Sequence, residues 1–194
     1  MSKRIFDFLI SFVGIVVLLP IFFLVGVLIK VSSPGPVLYT QERIGKRFHP
    51  FRIYKFRTMA PKAELGGSLT VGEDARITRV GRFLRHTKVD ELPQLFNVLR
   101  GEMSLVGPRP EVRRYVEMFR GDYAEILSVR PGITDLASIK YRNEGEMLGQ
   151  VHDPELLYVT SILPDKIRLA KAYLRQASFF TDLSILIKTL FSHP

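Results

Sequence analysis

Cysteine is absent from the sequence, so neither a disulfide framework nor a thiolate zinc site is available and export to an oxidising compartment is not implied. The four histidines, His49, His86, His152 and His193, are too scattered to read as a metal cluster. No Walker phosphate loop and no Gly-x-Gly-x-x-Gly occurs, which removes nucleotide hydrolysis and dinucleotide chemistry. Asp-x-Asp, commonly used to hold the metal in enzymes that move a sugar alone, is missing too. There is no internal repeat, no low-complexity tract, and no interleaving of aromatic and basic residues on a recognisable nucleic-acid-binding pattern. Acidic residues are in short supply: 28 Lys and Arg stand against 19 Asp and Glu, a net charge of +9. That excess calls for an anionic partner, whether nucleic acid, anionic lipid or a phosphorylated substrate, and charge alone does not choose. The 194 residues suffice for one compact domain plus an attachment, and 46% hydrophobic residues can supply its core.

Charge is also missing locally. Phe8 to Ile29 is a run of 22 residues without a charge, between Lys3, Arg4 and Asp7 on one side and Lys30 on the other. As a helix it measures ~33 Å, close to the thickness of a hydrocarbon core. It is too long for a signal peptide and no A-x-A site follows it. Two features speak against a simple crossing. Pro20 removes a backbone hydrogen bond and crowds residue 16, so the helix is expected to bend there. Both flanks are basic, with Lys3 and Arg4 before the run, and Lys30, Arg43, Lys46, Arg47, Arg52, Lys55 and Arg57 after it against only Glu42. A positive-inside count therefore puts both ends in the cytoplasm. A helix that enters, bends and returns satisfies both facts, and an ordinary kinked span remains open on these residues alone.

Residues 32–36, with two serines and two prolines around Gly35, end the apolar helix. The predicted organisation is a membrane-inserted segment, 1–33, and a domain over 34–194. Val37 to Arg43 and Phe51 to Phe56 read as strands joined by a turn, and 60–74 as a mobile polar loop. Leu92, Leu95, Phe96 and Leu99 have helical spacing, ended by Gly101. Val112, Tyr115, Val116 and Phe119 mark another helix, closed before Arg130-Pro131-Gly132, and Pro164 opens a third that reaches about Ala177. Near the end, Phe179, Leu183, Leu186, Ile187, Leu190 and Phe191 form one apolar stripe, suited to a membrane interface or to the domain's own core.

The candidate chemistry lies at Asp90-Glu91. Thr87 with Asp90 three residues on could be a capping box, but a helix begun there puts Pro93 in its interior; a start near Asp90 puts Pro93 in the first turn. The pair would then sit at the positive end of the helix dipole, where a carboxylate stays ionised and a phosphate is attracted. Arg82 and Arg85 precede it, and Gly107-Pro108-Arg109-Pro110 follows, its two prolines presenting the Arg109 fork from a stiff backbone suited to bidentate phosphate contact. Helix capping without catalysis, and a rigid turn with a solvated arginine, are the plainer readings of each feature alone. Together the parts fit phosphoryl transfer, in which one carboxylate attacks while its neighbour holds magnesium and cations offset the repulsion between anions.

Lys55-Phe-Arg57-Thr58-Met59, the run from Asp90 to Gly101, Met103 to Pro110, Arg130-Pro-Gly-Ile-Thr134 and Ser178 to Leu183 together closely resemble the bacterial sugar transferase family, the monotopic phosphoglycosyl transferases, in a minimal catalytic form. The resemblance implies an α+β fold, with a re-entrant membrane helix broken at Pro20, a small and mostly helical cytoplasmic domain with short strands, and interfacial amphipathic helices on the inner membrane of a bacterium. It implies that Asp90 attacks the β-phosphate of a UDP-sugar, releases UMP and carries the phosphosugar until polyprenol phosphate accepts it. By position, Asp90 is the nucleophile and Glu91 assists Mg2+ binding, so the two are also the metal residues. Arg85 and Arg109 contact phosphates, with Lys55 and Arg57 as weaker carry-overs. UDP-sugar, polyprenol phosphate and membrane lipid are the implied partners, and nucleic acid is not one. Two positions depart from the pattern: Leu19 stands where many members have serine before Pro20, and Leu169 to Tyr173 lacks an acidic residue that many carry.

Overall fold

The computed structural model describes residues 2–60, 72 and 74–191. Its first element, α1 (Ser2–Ser32), is a 31-residue helix with Pro20 inside it; helical conformation continues through the proline. It is long and apolar enough to cross a membrane. One face packs inward through Ile15, Val25 and Ile29, while Phe12, Val17, Phe23 and Val31 on the other are exposed. A soluble protein would not leave so much contiguous apolar surface in water.

The strands β1 (Leu38–Ile44) and β2 (Pro50–Phe56) pair antiparallel from Leu38↔Phe56 to Ile44↔Pro50, as the sequence predicts within one residue. Helix α2 (Arg79–His86) is capped by the Thr78 hydroxyl, and a single 3-10 turn, Val89–Glu91, leads to α3 (Gln94–Arg100), closed by Gly101 at φ 82. Two three-residue strands, β3 (Ser104–Val106) and β4 (Gly132–Thr134), pair in parallel. This second pair carries too few residues for a sequence period and was not expected. Between them lie α4 (Arg113–Met118) and α5 (Arg120–Ile126), two short helices hinged at Phe119, where one helix closed before Arg130 was expected. The chain then forms α6 (Leu136–Lys140), α7 (Glu144–Gly149) and α8 (Pro154–Leu157). A π-helical turn (Tyr158–Ile162) runs into α9 (Leu163–Gln176), widening the winding just where Pro164 offers no N–H. Most of the expected loop, 61–71 and 73, lies outside the described residues.

One core gathers Tyr115, Val116, Tyr123, Ile126, Leu163 and Ile167 from α4, α5 and α9. A second joins Ile15 of α1 to Ile53, Leu95, Val98, Leu105, Tyr173 and Ile185. Helix α1 is thus held along its length by 34–191, not just at one end. Arg4 donates to the carbonyls of Val98 (2.6 Å) and Leu99 (3.0 Å), Phe22 meets Phe56 edge-on at 5.6 Å, and Ile29 is buried with Phe56 and Leu84.

The final helix, α10 (Phe179–Phe191), buries Asp182 and Ile185. Phe179, Leu183, Ile187, Leu190 and Phe191 of its apolar stripe face outward, with only Leu186 packed against the core. Of the two readings of that stripe, packing into the domain core is the one the structure disfavours.

Candidate active site

Three segments deliver the site: the end of β2, the 3-10 turn before α3, and the loop after β3. Strand β2 ends at Phe56, so Lys55 lies on the strand and Arg57 just past it, where the side chains part although alternation within a strand would put residues two apart on one face. Lys55 points to Glu91, with Nζ 2.6 Å from Oε1. Arg57 points away and donates to the carbonyls of Pro34 (2.7 Å) and Ser33 (2.8 Å), so its guanidinium secures the exit of α1. Thr58 accepts a 2.8 Å hydrogen bond from Arg85 Nε. Arg85 comes this close because Gly81 lets α2 press onto the strand; a Cβ on Gly81 would lie 1.9 Å from the Thr58 carbonyl oxygen.

The expected helix start near Asp90 is corrected. Thr87 closes α2, its hydroxyl donating back to the Phe83 carbonyl at 2.9 Å, so it caps nothing downstream. The regular helix begins only at Gln94, because Pro93 has no N–H to give a preceding turn. Asp90 and Glu91 instead occupy the 3-10 turn, entered through Lys88 in the left-handed region at φ 58. A non-glycine residue there costs about 1–2 kcal/mol, a strain that commonly marks a functional turn. No sequence signal foretold it.

The two acids have opposite surroundings. Asp90 is 7% exposed and its Oδ1 has no hydrogen-bond partner. Burial, followed by the adjacent Glu91 charge, pushes its carboxyl up to about 6 despite Lys55 and Arg85. Glu91 is held by Lys55 and by both arms of Arg109, at 2.5 Å and 3.2 Å. Burial would raise it, but the charges of Arg109 and Lys55 outweigh burial and hold it well below the usual carboxylate range. Burial correspondingly lowers Lys55, against the pull of Glu91.

Arg109 is fixed from behind. Its backbone N–H donates to Asp135 Oδ2 at 3.0 Å, and the other Asp135 oxygen caps α6 through Ser138 N–H at 2.6 Å. The loop is strapped to β4 by Gly107 N–H to Thr134 and Gly132 N–H to Pro108. These backbones approach so closely that a Cβ on Gly132 would lie 2.1 Å from Gly107 N. Sequence reasoning missed Asp135 and Asn97. Asn97 clamps α3 to β2, accepting from Tyr54 N–H at 3.0 Å and donating to the Arg52 carbonyl at 2.7 Å. Both lie inside or beside the quoted motifs, and an acid at the N-cap position before Leu136 was the available signal for Asp135.

The structure therefore brings together Asp90, Glu91, Lys55 and Arg109, sets Arg85 within electrostatic reach of Asp90, and places Arg57 elsewhere. Among the described residues no group of three or more His, Cys, Asp or Glu could hold a metal. A buried carboxylate poised near neutrality beside clustered cations is suited to nucleophilic work on a phosphate.

Comparison with known proteins places the chain in a family. The family model described as bacterial sugar transferase matches residues 1–193. The chain is 38% identical to UDP-N-acetylgalactosamine-undecaprenyl-phosphate N-acetylgalactosaminephosphotransferase of Aeromonas hydrophila over 97% of its own length and 42% of that protein's. It is 35% identical to UDP-glucose:undecaprenyl-phosphate glucose-1-phosphate transferase of Klebsiella pneumoniae, over 97% of this chain and 39% of the relative. Both relatives are thus more than twice as long. Exopolysaccharide production protein ExoY of Rhizobium meliloti is 35% identical and is matched over 84% of its length by 98% of this chain. The chain belongs to the bacterial sugar transferase family.

Proposed function

We propose that the chain is a phosphoglycosyl transferase that moves a sugar 1-phosphate from a UDP-sugar to a polyprenol phosphate through an Asp90 phosphosugar. The observation that carries this reading is the free, buried Oδ1 of Asp90 beside a Glu91 saturated by Lys55 and Arg109. Ionised Asp90 attacks the β-phosphorus; the bond from that phosphorus to the bridging oxygen breaks, and the electron pair leaves with UMP. A phosphate oxygen of the polyprenol phosphate then attacks the same phosphorus and returns the Asp90 carboxylate. Lys55, Arg109 and Arg85 offset the charge of the diphosphate.

Magnesium fits this donor set: Asp90 offers an uncommitted carboxylate oxygen, and Mg2+ binds through one or two carboxylates plus substrate phosphates. Asp90 would hold it through that oxygen, with Glu91 able to join only as Lys55 and Arg109 release it, and when bound it would neutralise charge on the transferring group. The test is to incubate the protein with UDP-glucose, UDP-N-acetylgalactosamine and other UDP-sugars, magnesium and no lipid. A burst of UMP not exceeding the enzyme concentration is expected, with a matching gain of one phosphosugar in protein mass. Polyprenol phosphate then discharges it. Occupied enzyme, quenched early, with neither burst nor adduct would favour direct attack by the lipid.

The site is read as facing the cytoplasm at the inner membrane, with α1 entering and returning. Contacts of the same folded unit with Arg4, Phe22 and Ile29 support it, because a spanning helix would have its middle surrounded by lipid. Single cysteines near Ser2 and Ser33, in a chain that otherwise has none, are expected to escape an impermeant periplasmic thiol reagent. Labelling only the site near Ser2 would establish an ordinary span.

A further inference from the structure

Gln94 opens α3 at 1% exposure, and neither Oε1 nor Nε2 of its amide has a hydrogen-bond partner. An unpaired buried polar group costs about 1–3 kcal/mol, so a purely structural site selects against such an amide. The contrast with Asn97 is direct. Three residues on in the same helix, Asn97 is equally buried, yet it bonds Tyr54 N–H, the Arg52 carbonyl and Glu102. The fold can satisfy an amide here and leaves Gln94 unsatisfied.

Its place explains why. From Val89 to Phe96 the backbone bonds run three residues back, Leu92 to Val89, Leu95 to Leu92 and Phe96 to Pro93. Leu92 and Pro93 both hold right-handed helical backbone, so Gln94 lies one turn beyond Glu91 on the same side of the chain. Above it, Lys55 and Arg109 occupy the Glu91 carboxylate. These same two cations are the ones a substrate diphosphate would draw on. When they turn to phosphate, the half-buried Glu91 loses the donors it has here unless another is at hand.

We propose that Gln94 is a positioning residue whose side-chain N–H takes over the Glu91 carboxylate when Lys55 and Arg109 engage the substrate diphosphate, keeping the acidic pair in place for attack. This rests on the phosphoryl-transfer reading of the site, and acts through Glu91 without touching the reacting atoms.

The isosteric, apolar Gln94→Met variant separates positioning from packing. It is expected to melt at or above the wild-type temperature, since it removes two unpaired polar atoms, and to keep KM for the UDP-sugar within about threefold while kcat falls ~10- to 100-fold. In a Glu91→Gln background the same change should add no further loss. A kcat within twofold of wild type, or losses that add in the double variant, would overturn the proposal. A second measurement needs no turnover: the Gln94 side-chain NH2 resonance of the wild-type protein, followed by NMR, is expected to shift on adding UDP with magnesium and to stay still with magnesium alone. An unmoved resonance with UDP overturns the positioning role even if the reaction is as proposed; a shift with magnesium alone overturns it in favour of direct metal contact. A shift with UDP in a protein that forms no Asp90 adduct would instead fault the reaction scheme.

Discussion

Two polar clusters of the protein are finished to different degrees, one at the N-terminal end of α1 and one around Asp90 and Glu91. At the helix's N-terminal end, Asp7 accepts from Ser104 Oγ at 2.7 Å, Lys3 pairs with Asp182, and Asp182 also accepts from Tyr173 at 2.7 Å. Arg4 spends its fork on the Val98 and Leu99 carbonyls at the end of α3, the first of which also accepts from Gly101 N–H. In the Asp90–Glu91 cluster, by contrast, Asp90 Oδ1 and both Gln94 amide atoms are left over, and the turn enters through a strained Lys88. The first arrangement rigidifies, because the Asp7, Asp182 and Arg4 side chains each find partners. The second holds free energy in reserve for a ligand.

The sharpest way to break the contrast is to neutralise the two acids in turn. Asp90→Asn is expected to lower UMP release about a thousandfold or more, since an amide cannot attack phosphorus. It should also stabilise the fold by up to ~3 kcal/mol at pH 7, because a carboxyl raised from 3.8 to about 6 is ionised at a penalty of about 1.4 kcal/mol per unit. Glu91→Gln should do the reverse to stability, losing roughly 2–4 kcal/mol by stranding Lys55 and Arg109; the pair is only partly buried, with Arg109 34% exposed. Chemical denaturation of both variants checks the signs, and a shared sign would dissolve the distinction between the acids.

Their pH dependence sharpens it further. The folded state binds the Asp90 proton more tightly than the unfolded chain does, so wild-type stability falls as pH rises from about 4 to about 6. The advantage of Asp90→Asn should therefore open across that window and stay level above it. Glu91 is depressed, so its contribution is complete above its ordinary range and is lost as pH falls through the folded value. The deficit of Glu91→Gln should accordingly shrink on acidification. At the finished cluster, Asp7→Ala leaves the buried Ser104 hydroxyl unanswered and is expected to remove about 1–3 kcal/mol, with turnover per folded molecule within twofold.

The same contrast governs what could be read in the sequence. The β1–β2 hairpin, α9 and α1 announce themselves because their periods run over many residues, and Gly101 ends α3 as a glycine should. Asp90, Glu91, Lys55 and Arg109 were recognisable through motifs, and the structure gathers them. The 3-10 turn was not legible, since the conformation of Lys88 is imposed by what α2 and α3 pack against. The parting of Lys55 and Arg57, both weaker carry-overs, was not legible either: β2 ends between them at Phe56, and only the packing beyond it decides that Lys55 meets Glu91 while Arg57 takes Ser33 and Pro34. Pairings between distant segments, such as Asp135 behind Arg109 or β3 beside β4, leave no local period at all.

The smallest effect is expected on α10, where apolar side chains face away from the protein. Phe180 and Leu190 are 80% and 74% exposed, whereas Ile185 on the same helix is 2% exposed. A side chain that touches little of the folded chain contributes little to folding, so Phe180→Ser and Leu190→Ser should each change stability in detergent by no more than about 0.5 kcal/mol. Their worth lies in the surrounding lipid, since a helix with one apolar face seats that face at the acyl boundary. A polarity-sensitive fluorophore on a single cysteine at Ile187 should report an apolar environment in liposomes, and one at Ser184, off the stripe, a wetter one. Core packing predicts something different: truncating a buried large apolar residue removes roughly 2–5 kcal/mol. A loss of that size from Phe180→Ser or Leu190→Ser would return the stripe to the core, and a fluorophore at Ile187 as wet as one at Ser184 would take α10 out of the membrane interface.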